Sequence, residues 1–127
     1  MFWQERACGV LSVNERTLLN TADDAQIILG TSSVLERYDY ITQTFGQKPN
    51  QYTSCLTDNA VYWWDGNKKE ILQYTDGYNV NPLSTAARIK NYVNAHNESS
   101  TPNISYDIDH NEVICNVVNN ESVIYNE

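Results

Sequence analysis

The sequence predicts a mainly β fold of antiparallel hairpins resembling an incomplete β-propeller, with one α-helix near residues 84-96. Three observations carry this expectation. Two hairpin units, near residues 54-75 and 104-125, share one plan of turn, strand, polar turn and strand. Thr85 to His96 is the one convincing stretch with apolar residues at helical spacing. Nine Tyr, three Trp and two Phe in 127 residues supply apolar surfaces that a disordered chain lacks. The length allows one domain, so 1-127 reads as a single β-rich unit that forms part of a larger architecture.

Phe2-Trp3-Gln4 and Gly9-Val10-Leu11-Ser12-Val13 read as strands with a bend at Gly9. Asn14-Glu15-Arg16 reads as a turn and Thr17-Leu18-Leu19 as the return strand. Thr21 to Asp24 could cap one helical turn over Ala25 to Leu29, ended by Gly30, and Ile27-Ile28-Leu29 suits a strand equally well. Val34 to Thr44 alternates loosely through Val34, Leu35, Tyr38, Tyr40 and Ile41.

The first hairpin unit opens at Ser54-Cys55-Leu56 and continues in strands around Asp65-Gly66, a dipeptide suited to a tight turn between aromatic and β-branched runs. The second has strands over 104-107, 112-117 and 121-125, with turns at Asp109-His110-Asn111 and Asn119-Asn120. The two units superpose without a gap at an offset of 52, which lays Asn111 on Asn59 and Val113 on Val61. That length is near one propeller blade. Between them Pro82 and Ser84 start a helix whose Ala86, Ile89, Val93 and His96 form one stripe. A propeller closes only with about four blades. Two units therefore leave open strand edges, which pair with further copies or further strands.

Chemistry is sparse. A net charge of −8 argues against a nucleic-acid surface, which needs clustered Lys and Arg. No apolar run approaches the roughly 20 residues of a membrane span, and residues 1-6 lack a basic segment followed by an apolar one. Cys8, Cys55 and Cys115 are odd in number and far apart, so they read as small buried hydrophobes in a reducing setting. Asp107, Asp109, His110 and Glu112 resemble a metal loop only loosely, and a polar turn explains them better. No cofactor or catalytic motif is present, and the chain reads as a non-enzyme. Contact residues are expected instead at Tyr62, Trp63, Trp64 and Tyr125. Adjacent strand residues face opposite ways, so one tryptophan packs in the core while the other meets a neighbouring blade or partner. The alternative is a carbohydrate-binding β module with a tryptophan platform. A third reading is a hydrolase using Asp65 with Asp107 or Asp109.

Two resemblances follow. Ala60-Val61-Tyr62-Trp63-Trp64-Asp65-Gly66 resembles a propeller blade of the Tyr-Trp-Thr-Asp type, with Trp64 in place of the Thr. A second likeness runs through Phe2-Trp3-Gln4, Gly9 to Asn14, Leu29-Gly30, Val34 to Thr42 and the Val61 to Ile71 hairpin. It continues through Leu83-Ser84, Ile89 to Asn94, Asn111 to Ile114 and Val123 to Glu127. In that order these segments are similar to the tail muzzle, or stabilisation, proteins of crAss-like phages of gut Bacteroidales. The resemblance implies a virion structural role, assembled in the host bacterial cytoplasm. It further implies a ring of identical subunits at the distal end of the tail, built of propeller-like parts and helping to close the DNA channel. Its partners would be other copies of itself or other phage tail proteins, with no cofactor. Those proteins are many times longer, so the chain would be an internal or truncated portion.

Overall fold

The computed structural model describes residues 1-14, 17-20, 26-29, 34-48, 53-75, 79-96, 102-118 and 121-127. The expected helix cap at 21-24, the Asn119-Asn120 turn and Gly30 lie outside them. The first layer holds β1 (Phe2–Trp3), β2 (Cys8–Asn14) and β5 (Val34–Thr42), antiparallel in the order β1-β2-β5. Between β2 and β5 in sequence, β3 (Thr17–Asn20) and β4 (Gln26–Leu29) pair with each other. The expected return strand at Thr17 to Leu19 is thus corrected. The long partner of β2 is β5, whose nine residues offer a longer ladder than the four of β3.

The second layer is a sheet of β6 (Ser54–Leu56), β7 (Val61–Asp65), β8 (Glu70–Tyr74) and β9 (Asn81–Pro82) in chain order. The third is a meander of β10 (Asn103–Asp107), β11 (Glu112–Val118) and β12 (Glu121–Asn126). Among the described residues these sheets form no closed barrel and no ring of blades.

The two meanders correspond, with a correction to their offset. Leu56↔Val61 closes β6 on β7 as Asp107↔Glu112 closes β10 on β11, which is an offset of 51. On the far side Trp64↔Ile71 matches Cys115↔Val123, so β8 and β12 are offset by 52. The extra residue enters at a register shift between Asn116 and Val118. It decides which side chains meet. Tyr62 and Trp64 take the places of Val113 and Cys115, and all four are buried in one cluster. A gapless offset of 52 would put Trp63 on Cys115, the wrong face, because one residue of slip inverts a strand.

The single expected helix is two: α1 (Leu83–Ala86) and α2 (Lys90–His96). Arg88 interrupts them with a left-handed φ of 59°. Around it the Ile89 N–H donates to Ser84 O at 2.9 Å and the Arg88 N–H to Thr85 O at 3.1 Å, a Schellman ending with Arg where glycine is usual. The apolar stripe survives in part, since Val93 is buried and Ile89 half-buried while Ala86 is exposed. The side chain of His96 lies outside the described ones. The buried Glu70 carboxylate ties the helices to β8, accepting from Thr85 Oγ1 and, at 3.1 Å, from Lys90 Nζ.

Two apolar clusters lie on the opposite faces of β7 and β8. One joins Tyr62, Trp64 and Ile71 to Leu83, Val93, Ile104, Val113 and Cys115. The other joins Trp63 and Leu72 to Cys8, with Trp3, Ile41 and Phe45 packed against them. The β6-β9 sheet is therefore the middle layer, and β7 is buried on both faces from Tyr62 to Asp65.

Candidate contact surfaces

Tyr62 and Trp63 are 0% exposed and Trp64 is 3% exposed. Strand alternation sends Tyr62 and Trp64 toward the third layer and Trp63 toward the first. The Trp63 indole N–H donates to Gly46 O at 3.0 Å, and its ring meets Trp3 edge-on at 6.3 Å between centroids. Tyr125 is half-buried with its ring 6.0 Å from that of Tyr62. Trp63 packs against the first layer and Trp64 against the neighbouring meander, so neither offers solvent a face on which a sugar could stack.

The outward aromatic face lies elsewhere. Phe2↔Gly9↔Tyr40 form one row across β1, β2 and β5, and Leu11↔Tyr38 form the next row on the same face. Tyr38 is 58% exposed, Leu11 47% and Tyr40 40%. The rings pack edge to face, with Phe2 5.6 Å from Tyr40 and Tyr38 5.9 Å from Tyr40. Gly9 makes this possible, because a Cβ there would strike Asp39 O and come within 2.7 Å of the Phe2 ring. The reverse face carries Trp3, Cys8 and Ile41 into the core. Two tyrosines at i and i+2 in the Val34 to Thr42 run were the sequence signal for a shared face.

A family model described as the crassvirus muzzle protein matches residues 1–127, the whole chain. The chain belongs to that family. No curated protein and no solved structure matches it. Membership makes it a phage structural protein and a component of the virion.

In this muzzle-family chain Asp65 and Asp107, the carboxylates a hydrolase would have to pair, are turn caps held apart. Asp65, 1% exposed, accepts from the N–H groups of Gly46 (2.9 Å), Asn67 (2.8 Å) and Lys68 (3.0 Å). Asp107 accepts from the Asp109 N–H at 3.0 Å and pairs with His110 Nδ1 at 2.8 Å. The bond to His110 lowers the Asp107 pKa and raises that of His110. These two acids lie at opposite ends of the sheets, since Glu127 fastens the 108-111 turn to the 57-60 turn at the far end of β7. Its N–H donates to Asn111 O at 3.2 Å, and its carboxylate accepts from Thr57 Oγ1 at 2.7 Å and Tyr62 OH at 2.8 Å. Five residues of β7 separate the ends by roughly 13 Å, beyond the reach of a glycosidase pair.

Burial and the Glu127 carboxylate raise the Tyr62 hydroxyl well above the ordinary tyrosine value. Burial likewise pushes Cys8 and Cys55 up to about 11 and Cys115 up to about 12, so all three remain thiols. Among the described residues no group of His, Cys, Asp and Glu could hold a metal ion, and no helix is long and apolar enough to cross a membrane.

Proposed function

We propose that this muzzle-family chain works through protein–protein contacts, with other copies of itself or with other phage tail proteins, and without catalysis, nucleic-acid binding or membrane binding. The observation that carries this reading is the outward face of Leu11, Tyr38 and Tyr40, backed by Phe2, on a layer whose reverse side carries Trp3, Cys8 and Ile41 into the core. Aromatic rings with polar tips on a rigid sheet are the side chains that protein interfaces favour. The acidic balance of −8 suits a part that passing DNA must not adhere to. Two equivalent meanders stacked on one core are the kind of unit that a larger, propeller-like β architecture repeats. Assembly into the tail takes place in the host cytoplasm.

Tyrosine nitration of the isolated chain and of intact virions, read by peptide mass spectrometry, tests the contact. Tyr38 and Tyr40 should be modified in the isolated chain and protected in the particle. Equal modification in both would remove this face as the contact.

A further inference from the structure

The charged side chains are unevenly placed along the strands. At the β7–β8 turn, Arg6, Gln43, Thr44, Asp65, Asn67 and Lys68 line a cleft of about 450 Å³. Asp65 turns inward onto backbone N–H groups, so the mouth presents Arg6 and Lys68, with exposed Lys69 beside them. None of these three cations stands in an ion pair among the described residues, although Lys48, Arg37 and Lys90 each do.

The opposite end, formed by turns 57-60 and 108-111, carries Asp58, Asp107, Asp109, Glu112 and Glu127 and, among the described residues of these turns and their flanks, no Lys or Arg. These charges share one region. Burial raises the Tyr106 hydroxyl pKa, and Glu127, Asp58 and Asp107 each raise it further. Between Asp107 and Asp109 stands Ile108, 73% exposed, an apolar anchor on an acidic tip. That matters because exposed charge pairs alone stabilise a contact only weakly.

We propose that copies of this chain associate head to tail, the acidic tip around Ile108 of one copy entering the Arg6–Lys68 cleft of the next. The inference rests on the reading that the chain works through protein contacts, and names a second copy as the partner. A two-fold contact at either end would set like charge against like. A contact joining unlike ends satisfies both, and such heterologous contacts generate rings or open filaments. Complementary ends also steer the encounter and fix its register.

The test uses charge reversal at exposed positions, followed by sedimentation velocity of the full chain at about 0.1 M salt. One form carries Lys68→Glu with Lys69→Glu, the other Asp58→Lys with Asp109→Lys. Each reversal changes the charge by two, so the net charge of −8 becomes −12 and −4 respectively. Each form alone should associate at least roughly tenfold more weakly than the parent, and a one-to-one mixture should restore association. General charge repulsion predicts instead that the −4 form associates more strongly than the parent. Asp58→Asn with Asp109→Asn should show an intermediate loss, and unchanged tryptophan emission reports the fold of each. A monomeric parent, undiminished association of either reversed form, or a mixture that stays apart would overturn the head-to-tail contact. Protection of Tyr38 and Tyr40 in virions is read independently, so the two ideas fail separately.

Discussion

Replacing Asp65 by Asn changes one atom's chemistry without changing volume, and it falls where three chain segments meet. The carboxylate accepts from Gly46 N on one oxygen and from Asn67 and Lys68 N on the other, at 2.8 to 3.0 Å. An amide can keep its single oxygen on the turn, but its NH2 then faces the Gly46 N–H, donor against donor. Hydrogen bonds to a charged acceptor contribute about 1.5–3 kcal/mol each, and a stranded buried donor costs about 1–3 kcal/mol. Loss of one such bond, with weakening of two, gives an expected destabilisation of about 3 kcal/mol. With an unfolding entropy of about 2.1 cal/mol/K per residue, that corresponds to a Tm lower by roughly 11 °C. Urea unfolding followed by the emission of the buried tryptophans measures it directly. A loss below about 1 kcal/mol would refute the claim that this carboxylate organises the turn and anchors the Gly46 strap.

Trp64→Ala should cost about 3–5 kcal/mol through the cavity it leaves, whereas Tyr38→Ser with Tyr40→Ser should change stability by under about 1 kcal/mol; thermal melts of both separate core from contact residues. Gly46→Ala should be strongly destabilising in the same melts, because a Cβ there collides with the backbone of Gln4 and Glu5, which cannot yield as a side-chain tip would. The raised His110 pKa means that its pairing with Asp107 is complete below the ordinary histidine value of 6.5 and is lost as pH rises through the higher folded value. The lowered Asp107 pKa means that the same pairing is complete above 3.8 and is lost as pH falls through the lower folded value. An NMR titration of the His110 ring should therefore shift downward in Asp107→Asn. Alkylation of Cys115, pushed up to about 12 and buried, should be undetectable in the folded chain and complete in urea.

The strands were legible because their punctuation is local. Asp65-Gly66 marked the β7–β8 turn, and apolar alternation marked β5 and β11. What escaped the sequence was set by distant partners. Strand parity shows that Trp63 and Trp64 face opposite ways, but not that Trp3 and Cys8, some sixty positions earlier, cover the Trp63 side. For the same reason Tyr62 read as a contact residue, while Tyr38 and Tyr40 did not. The break between α1 and α2 rests on an arginine in a left-handed conformation, where glycine would have been the readable sign. The one-residue shift near Asn116 is hidden in the sequence because Asn is abundant enough to give matches at a wrong offset.

Strand β7 contributes to both apolar clusters, Tyr62 and Trp64 to one and Trp63 to the other. The two clusters consequently cannot melt as separate events, for whichever opens first strips one face of the strand that supports the second. Hydrogen exchange in β7 should then report the global unfolding equilibrium, with the outer edges of β5 and β12 opening earlier. A subunit organised in this way can let its margins rearrange against neighbours while its centre keeps one fixed geometry.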